Sequence, residues 1–281
     1  MKKQSNTSIK KLNSINKTLY IPLYGKAYVS KKGLFLKDEK AEQIWETEGF
    51  SLKAKSKSKW LAYYMGIRSA LFEEWTKEKI EEMASAIIVQ IGCGLDSRVQ
   101  RINYNGHIWC DVDFLDVINE RKKYYKESTT YKMIASDATE LDWLNELPTG
   151  TQAIVIMEGV SMYLSNDSLQ RLIKALSLKF DKLCLLMDCY SELAAKLSKV
   201  KNPINDVGVT KVYGLDNPAV LNTEDFIFNQ QLLITPQRYI DELKGFEKKV
   251  FQKLYAGNFS KKLYKLYEFK KIKTKQNNID L

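Results

Sequence analysis

The sequence predicts an α/β protein with a mostly parallel sheet, helices on both faces of the sheet and a helical segment before it. Three observations carry this prediction. Short apolar runs recur between residues 86 and 188, stretches of about 10–15 residues suited to helices separate them, and the first run enters a glycine turn. We expect a basic flexible arm at 1–20, a helical segment at 21–83 and a sheet domain at 84–281. Prolines and glycines at about 200–235 predict an insertion over the sheet.

The helical segment is predicted from the spacing of its apolar side chains. Between Ser56 and Met83 these recur at three- and four-residue intervals, the pattern of a helix with a buried face. A shorter helix is expected at 38–45. The first 20 residues are rich in Lys, Ser and Asn and show no sustained periodicity, which favours a loose arm.

Five apolar runs predict the strands of the sheet. Their length and apolar character suit parallel strands that helices cover on both sides. They lie at 86–91, 107–112, 131–135, 153–157 and 182–188. Helices are predicted at 115–126, around Trp143 and at 168–180, the last capped by Asn166 or Asp167. A helix at 236–244 and strand-like segments near 247–254 and 266–273 complete the prediction.

The formal net charge of +10 comes from the two ends of the chain. Residues 1–20 and 261–281 each contribute +5, so residues 21–260 are neutral. Specific nucleic-acid binding is therefore not expected, although non-catalytic binding through the lysines stays open as an alternative. The ends suit solubility or a weak contact with a membrane surface or polyanion. No apolar run approaches the about 20 residues of a membrane helix, so membrane insertion is not expected.

Histidine and cysteine usage narrows the chemistry. The single histidine, His107, excludes sites that need two histidines, and the four cysteines form no CxxC pair, so we expect no metal site. Three of the cysteines lie in apolar strand-like runs, which predicts buried free thiols. Together with the missing secretory segment, this predicts a reducing cytoplasm.

A glycine turn with Gly92 and Gly94 ends the first predicted strand. Glycines there allow a sharp turn and the close approach of a ligand to the main chain. Asp113 ends the second predicted strand, 19 residues after Gly94, near the about 20-residue offset at which a carboxylate meets a ribose diol. The turn and the acid together predict an adenosine-containing ligand. A purely structural turn and a solvated or helix-capping Asp113 are the alternatives.

Acidic residues also follow the third and fourth predicted strands. The carboxyl ends of parallel strands meet at one crevice, where Asp137 suits an adenine amino group and Glu158 suits the ammonium group of an amino-acid-bearing cofactor. NAD has no ammonium group, so Glu158 favours S-adenosylmethionine. For Asp137, the N-cap of the next short helix is the alternative.

Residues 90–98 resemble the signature (N/Q)(L/I)GxGLDTR of the leucine carboxyl methyltransferase superfamily, with Ser97 in place of the common threonine. The chain is similar in particular to the bacterial branch of tetracenomycin-type polyketide-synthesis O-methyltransferases. The resemblance runs from about residue 20 to residue 245. Seven further matches lie in register, at 23–27, 34–41, 68–72, 109–113, 141–144, 158–164 and 213–218.

The resemblance implies a Rossmann-like class I methyltransferase that uses S-adenosylmethionine, with residues 21–83 as an N-terminal helical lid. It also implies a role in cofactor binding for Lys26, Arg68, Gly92, Gly94, Asp113, Asp137, Ala138 and Glu158. Arg68 would pair with the cofactor carboxylate, and Gly92 and Gly94 would lie against its methionine portion. Asp113 would bind the ribose, Asp137 the adenine and Glu158 the ammonium group. Ala138 would join Asp137 at the adenine, and Lys26 would be a basic group near the cofactor. A helix-surface Arg68 and a solvated Lys26 are the alternatives.

The expected mechanism needs no catalytic residue. Methyl transfer from a sulfonium requires alignment and the exclusion of water, and a carboxylate acceptor is already ionised at neutral pH. The predicted function is S-adenosylmethionine-dependent O-methylation of a carboxyl or hydroxyl group of a small molecule. Methylation of a protein C-terminal carboxylate and an NAD(P)-dependent reductase remain alternatives.

Overall fold

One sheet of seven strands runs through the part of the chain that the computed structural model describes, residues 16–49, 52, 54–201 and 211–271. Its strand order is β3-β2-β1-β4-β5-β7-β6. Strands β1 to β5 pair in parallel, whereas β7 is antiparallel to both β5 and β6. The strands are β1 (Ile87–Ile91), β2 (Ile108–Asp113), β3 (Tyr131–Ala135), β4 (Gln152–Met157), β5 (Lys182–Tyr190), β6 (Phe226–Leu232) and β7 (Tyr264–Lys271). The mostly parallel sheet predicted from the sequence is confirmed.

Helices cover both faces of the sheet. Strand β1 is buried along its whole length, and β4 along all but its first residue, which is why every residue of β1 except Gln90 and every buried residue of β4 is apolar. The side chains of the two sheet faces belong to two separate apolar clusters. The helices are α1 (Tyr20–Lys31), α2 (Glu39–Glu48), α3 (Lys59–Glu82), α4 (Arg98–Arg101), α5 (Leu115–Arg121), α6 (Asn166–Lys179), α7 (Glu192–Lys201), α8 (Gln237–Glu242), α9 (Gly245–Leu254) and α10 (Asn258–Leu263).

Two glycines bring α1 and α3 into close contact. A Cβ atom on Gly25 of α1 would lie 2.7 Å from the Cβ of Met65, and one on Gly66 of α3 would lie 2.7 Å from Val29 Cγ2. Glycine is therefore required for the helices to approach this closely. The approach matters for function because α1 carries Lys26 and α3 carries Arg68.

Several predicted elements differ from the observed ones. The strand predicted near 247–254 is wrong, because these residues form helix α9, in which Phe251 is buried while charged neighbours face solvent. Within the predicted insertion at 200–235, Phe226–Leu232 instead form β6, paired with β7. Helix α6 is capped by Ser165, whose side chain accepts from the Ser168 N–H, and not by Asn166 or Asp167.

The interpretation of residues 1–20 as a flexible arm falls largely on 1–15, outside the described residues. The same holds for 202–210 of the predicted insertion and for the end of the strand predicted at 266–273. Among the described residues, no helix has the length and apolar character needed to cross a membrane.

Candidate active site

A cavity of about 990 Å³ opens at the carboxyl ends of strands β1 to β5. This volume is near the upper end of the range for small-molecule sites, about 300–1,000 Å³. One half of the cavity is formed by the turns after β1 to β4 as far as Val160, with Lys26 and Arg68 at its edge, and we call it the strand-end half. The other half is formed by the remaining lining residues of helices α1, α3, α7, α9 and α10, by residues 161–165 and Tyr213, and by the ends of β5 and β7, and we call it the helical half.

All eight residues that the family resemblance implied for cofactor binding line this cavity. They therefore share one site in the folded chain. Their individual roles remain predictions, because their position shows which groups face the cavity and not which ligand atom each group meets.

The glycine turn after β1 has a backbone that only glycine adopts without strain. Gly92 has φ +68° and Gly94 has φ +52°. A Cβ atom on Gly92 would lie 2.2 Å from Val160 Cγ2, so a side chain there would collide with the turn after β4. The Gly92 N–H donates to the Val112 carbonyl oxygen at 2.7 Å, which ties this turn to the end of β2.

Asp113 joins the same turn from the end of β2. Its Oδ2 accepts from the Gly94 N–H at 2.8 Å, and its Oδ1 accepts from the Phe114 N–H at 2.8 Å. Burial raises the pKa of the Asp113 carboxyl to about 6, against the lowering effect of these two hydrogen bonds. The carboxylate thus has an ordered position beside Gly94 and faces the cavity.

The Asp137 side chain caps the turn after β3. Its Oδ1 accepts from both the N–H and the hydroxyl of Thr139, each at 2.8 Å. Asp137 therefore caps its own turn and is not the N-cap of the next short helix, Leu141–Glu146, whose N-cap residue is Glu140. Asp137 and Ala138 nevertheless line the cavity, so the cap does not exclude a ligand contact.

Arg68 and Glu158 pair with each other at the wall of the cavity. Arg68 Nε lies 3.1 Å from Glu158 Oε1, and its Nη1 lies 3.0 Å from Asp188 Oδ2 and 2.8 Å from the Tyr264 hydroxyl. Arg68 is only 4% exposed, so a helix-surface charge is excluded. Burial alone would raise the pKa of Glu158, but Arg98 and Arg68 hold it below its ordinary value.

Lys26 is equally buried, with 3% of its surface exposed, and the solvated alternative is wrong. Its Nζ lies 3.2 Å from Asp96 Oδ2. Asp96 also pairs with Arg98, and the cations Arg98, Lys26 and Arg101 overcome burial to hold the pKa of Asp96 well below its usual range. Lys26 therefore faces the cavity as one member of a buried charge network.

Four residues at the site had no predicted role: Asp96, Arg98 and Asp188 of the charge network, and Gln90 near it. Asp96, Arg98 and Gln90 lie inside the signature at 90–98. The sequence feature that could have identified them is a charged or amide side chain within or directly after an apolar strand. Gln90 is 2% exposed and lines the cavity, and its Oε1 has no hydrogen-bond partner among the described residues. A buried acceptor without a partner can accept a hydrogen bond from a ligand.

The helical half is apolar and rich in tyrosine. Burial raises the pKa of the Tyr64, Tyr163 and Tyr264 hydroxyls, so they remain protonated hydrogen-bond donors. His107 lies elsewhere, with its Nδ1 3.0 Å from the Ala86 carbonyl oxygen. The tyrosines that line this half are Tyr64, Tyr163, Tyr190, Tyr213, Tyr255 and Tyr264.

The fold is that of known methyltransferases. A putative methyltransferase from Thermobifida fusca aligns with 88% of this chain and 94% of its own, at a TM-score of 0.53 and 11% identity. Magnesium protoporphyrin IX methyltransferase from Synechocystis PCC 6803, solved with bound SAH, aligns with 88% of this chain and 97% of its own, at a TM-score of 0.50 and 11% identity. The architecture is therefore the Rossmann-like fold of class I S-adenosylmethionine-dependent methyltransferases.

Sequence comparison identifies the family. The sequence model described as Leucine carboxyl methyltransferase matches residues 15–177, more than half of the chain, and the chain belongs to this family. The tetracenomycin polyketide synthesis O-methyltransferase TcmP of Streptomyces glaucescens is 26% identical over 184 residues, 64% of this chain and 68% of that protein. The S-adenosyl-L-methionine-dependent methyltransferase dpfgK of Gibberella zeae is 25% identical over 152 residues, 49% of this chain and 51% of that protein. The protein is an S-adenosylmethionine-dependent O-methyltransferase.

Proposed function

We propose that the enzyme forms the methyl ester of an apolar small-molecule carboxylic acid. S-Adenosylmethionine would lie in the strand-end half of the cavity and the acid in the helical half. The observation that carries the proposal is the chemistry of the helical half, where apolar side chains and tyrosine hydroxyls that stay protonated line the same walls. Such hydroxyls donate hydrogen bonds to a carboxylate, and an ionised carboxylate needs no base to become a nucleophile.

The residues of the strand-end half fit S-adenosylmethionine. Gly92 and Gly94 line the cavity without side chains, so a ligand can approach the main chain closely, and the buried Gln90 Oε1 is an acceptor with no described donor. In our proposal Asp113 accepts from the ribose hydroxyls, Asp137 and Ala138 contact the adenine, and Glu158 with Gln90 faces the ammonium group. Arg68 and Lys26 are the cations for the carboxylate.

The bound cofactor supplies a methyl group on a sulfonium, which is already a good leaving group. The protein's own residues therefore have to orient the acceptor and exclude water. Tyr64 and Tyr163 are placed to hold the acceptor carboxylate by hydrogen bonds. Apolar side chains on the same walls, Leu61, Met65 and Met162, keep water from it.

The charge network supports this assignment of halves. The cavity lining includes the cations Lys26 and Arg68 and the acids Asp96, Asp113, Asp137 and Glu158, so negative charge exceeds positive charge. S-Adenosylmethionine carries a sulfonium, an ammonium and a carboxylate group, and its net positive charge compensates part of this excess. A nicotinamide cofactor, which carries a pyrophosphate, would increase the repulsion.

The free thiols support a location in a reducing compartment, and we propose the cytoplasm. Cys93, Cys110 and Cys189 are buried, and burial raises the pKa of each thiol. Such thiols behave as small apolar side chains.

Alkali lability of the product tests the proposal. The purified enzyme is incubated with S-adenosylmethionine labelled in its methyl group and a panel of aromatic and aliphatic acids, each paired with the alcohol or phenol of the same skeleton. We expect label on acids, released as volatile methanol by mild alkali, as a methyl ester requires. Alkali-stable label, or label on phenols alone, would refute ester formation. Calorimetric binding of S-adenosylmethionine in the same preparation tests the donor site separately.

A further inference from the structure

Helices α9 and α10 expose three large apolar side chains to solvent. Phe246 is 75% exposed, Phe259 is 63% exposed and Leu254 is 59% exposed. All three lie within the short segment 246–259, and exposed apolar residues that group on a surface mark where another molecule covers it. We call this the α9–α10 surface, and its members are Phe246, Lys249, Lys253 and Leu254 of α9 with Phe259 and Lys262 of α10.

The members that come from α9 share one side of that helix. At about 100° per residue, Phe246, Lys249, Lys253 and Leu254 fall within an arc of about 140°. The opposite side carries Phe251, which is fully buried. The exposed aromatic side chain and the two lysines therefore face solvent together.

The surface is strongly basic. Residues 244–265 contain seven lysines and one acid, Glu247. Glu247 is already paired with Lys59 at 2.7 Å, and Lys248 is paired with Asp241 at 2.8 Å. Lys244, Lys249, Lys253 and Lys262 are all exposed, so the surface presents positive charge beside its apolar side chains.

The surface adjoins the mouth of the cavity. Leu254 of α9 and Leu263 of α10 line the cavity, and so does Leu197 of the adjacent helix α7, which is 48% exposed. A molecule that leaves the α9–α10 surface can therefore enter the helical half directly.

We propose that the α9–α10 surface binds the anionic leaflet of a lipid bilayer. Lysines attract anionic headgroups, and phenylalanine and leucine between them insert at the level of the acyl chains. A second copy of the chain is disfavoured as the occupant, because a symmetric contact would bring the two sets of lysines together.

Vesicle sedimentation with the full-length protein tests this proposal without any acceptor. The probes are vesicles of phosphatidylcholine alone and of phosphatidylcholine with phosphatidylglycerol, at low and high salt. Two double variants each remove one component of the surface. Phe246→Ser with Phe259→Ser removes the apolar side chains, and Lys249→Gln with Lys253→Gln removes positive charge. The control is Leu178→Ser with Lys174→Gln on α6, where Leu178 is 77% exposed and Lys174 is exposed.

We expect the wild type and the control to sediment with anionic vesicles at low salt, and each surface variant to bind at least about 10-fold more weakly. All chains keep the lysine-rich ends, so equal binding by every variant would assign the binding to the ends and overturn the proposal. Failure of the wild type to bind, or binding to neutral vesicles at the same level, would overturn it as well. A further outcome is a wild type that forms a dimer and binds no vesicles. If the double variant Phe246→Ser with Phe259→Ser dissociates that dimer, the occupant of the surface is a second copy of the chain, which overturns the proposal. Circular dichroism of each variant establishes that it is folded.

Discussion

The guanidinium of Arg68 and the carboxylate of Asp188 form an ion pair with Nη1 and Oδ2 3.0 Å apart. Arg68 lies on helix α3 and Asp188 on strand β5, and their side chains are 5% and 0% exposed. The Asp188 Oδ1 also accepts from the Gly159 N–H at 2.6 Å, in the turn that follows Glu158. One buried arginine thus links the helical segment before the sheet to two of its strand ends.

Replacement of Arg68 is expected to destabilise the fold. Arg68→Ala leaves the carboxylates of Glu158 and Asp188 buried without their shared partner, and loss of one partner of a buried pair costs about 3–5 kcal/mol. Chemical denaturation measures this loss in the free energy of unfolding. The matched control is Arg238→Ala, which removes a pair with Glu74 in which the arginine is 57% exposed, and should cost less than about 1 kcal/mol. Equal losses in the two variants would contradict the structural role of Arg68.

Cofactor binding is expected to depend on pH through Asp113. The pKa of its carboxyl is raised to about 6, so at lower pH the group is protonated and accepts hydrogen bonds less well. The affinity for S-adenosylmethionine should therefore rise between about pH 5 and about pH 7. Calorimetry across this range measures the change.

Asp113→Asn should remove that pH dependence and weaken binding by about 10- to 100-fold, the worth of hydrogen bonds to a charged group. Asp116→Asn, at an exposed position in α5, is the control and should keep both the affinity and its pH profile. An unchanged profile in Asp113→Asn would assign the titration to another group.

A side chain at Gly92 is expected to be doubly unfavourable. Gly92→Ala adopts φ +68° at a cost of about 1–2 kcal/mol and places its Cβ 2.2 Å from Val160 Cγ2. The steric overlap adds about 1–3 kcal/mol. Gly106→Ala, at φ +84° with nothing within 4 Å, carries the backbone cost alone. Adding Val160→Ala to Gly92→Ala should recover only the steric part in thermal unfolding, and no recovery would exclude the overlap as a cause.

Gln90 allows cofactor binding and stability to be separated. Its Oε1 is buried with no hydrogen-bond partner among the described residues, so Gln90→Leu removes an unsatisfied group and should leave the melting temperature unchanged or higher. If Oε1 accepts from the cofactor, the same variant should bind S-adenosylmethionine about 5- to 10-fold more weakly. Unchanged affinity would remove Gln90 from the donor site.

The central part of the fold was predictable because buried parallel strands are continuous apolar runs. Strand β6 was missed because its residues 229–231 are polar and β6 lies at the edge of the sheet, where one side meets solvent. The segment 247–254 was assigned as a strand although Val250, Phe251 and Leu254 also fit a helical period. A short apolar run does not separate these two interpretations.

The site was partly predictable for a related reason. Strand ends converge in a parallel sheet, so Asp113, Asp137 and Glu158 could be placed together from the sequence alone. The pairing of Arg68 with Asp188 could not, because it joins residues 120 positions apart and depends on how α3 crosses the sheet. Ion-pair partners carry no local sequence signal of this kind.

Part of the helical half, the wall from α7, α9 and α10, comes from a later stretch of the chain than the strand-end half. The turns that form the strand-end half all precede residue 177, where the match to the family's sequence model ends, whereas α7, α9 and α10 follow it. Substitutions after that point can therefore change which molecule receives the methyl group without disturbing its source. Leu61, Tyr64 and Tyr163 stay in place under such substitutions, so one wall of the acceptor site can be reshaped while its tyrosine donors are kept, and that wall is where an engineer should begin.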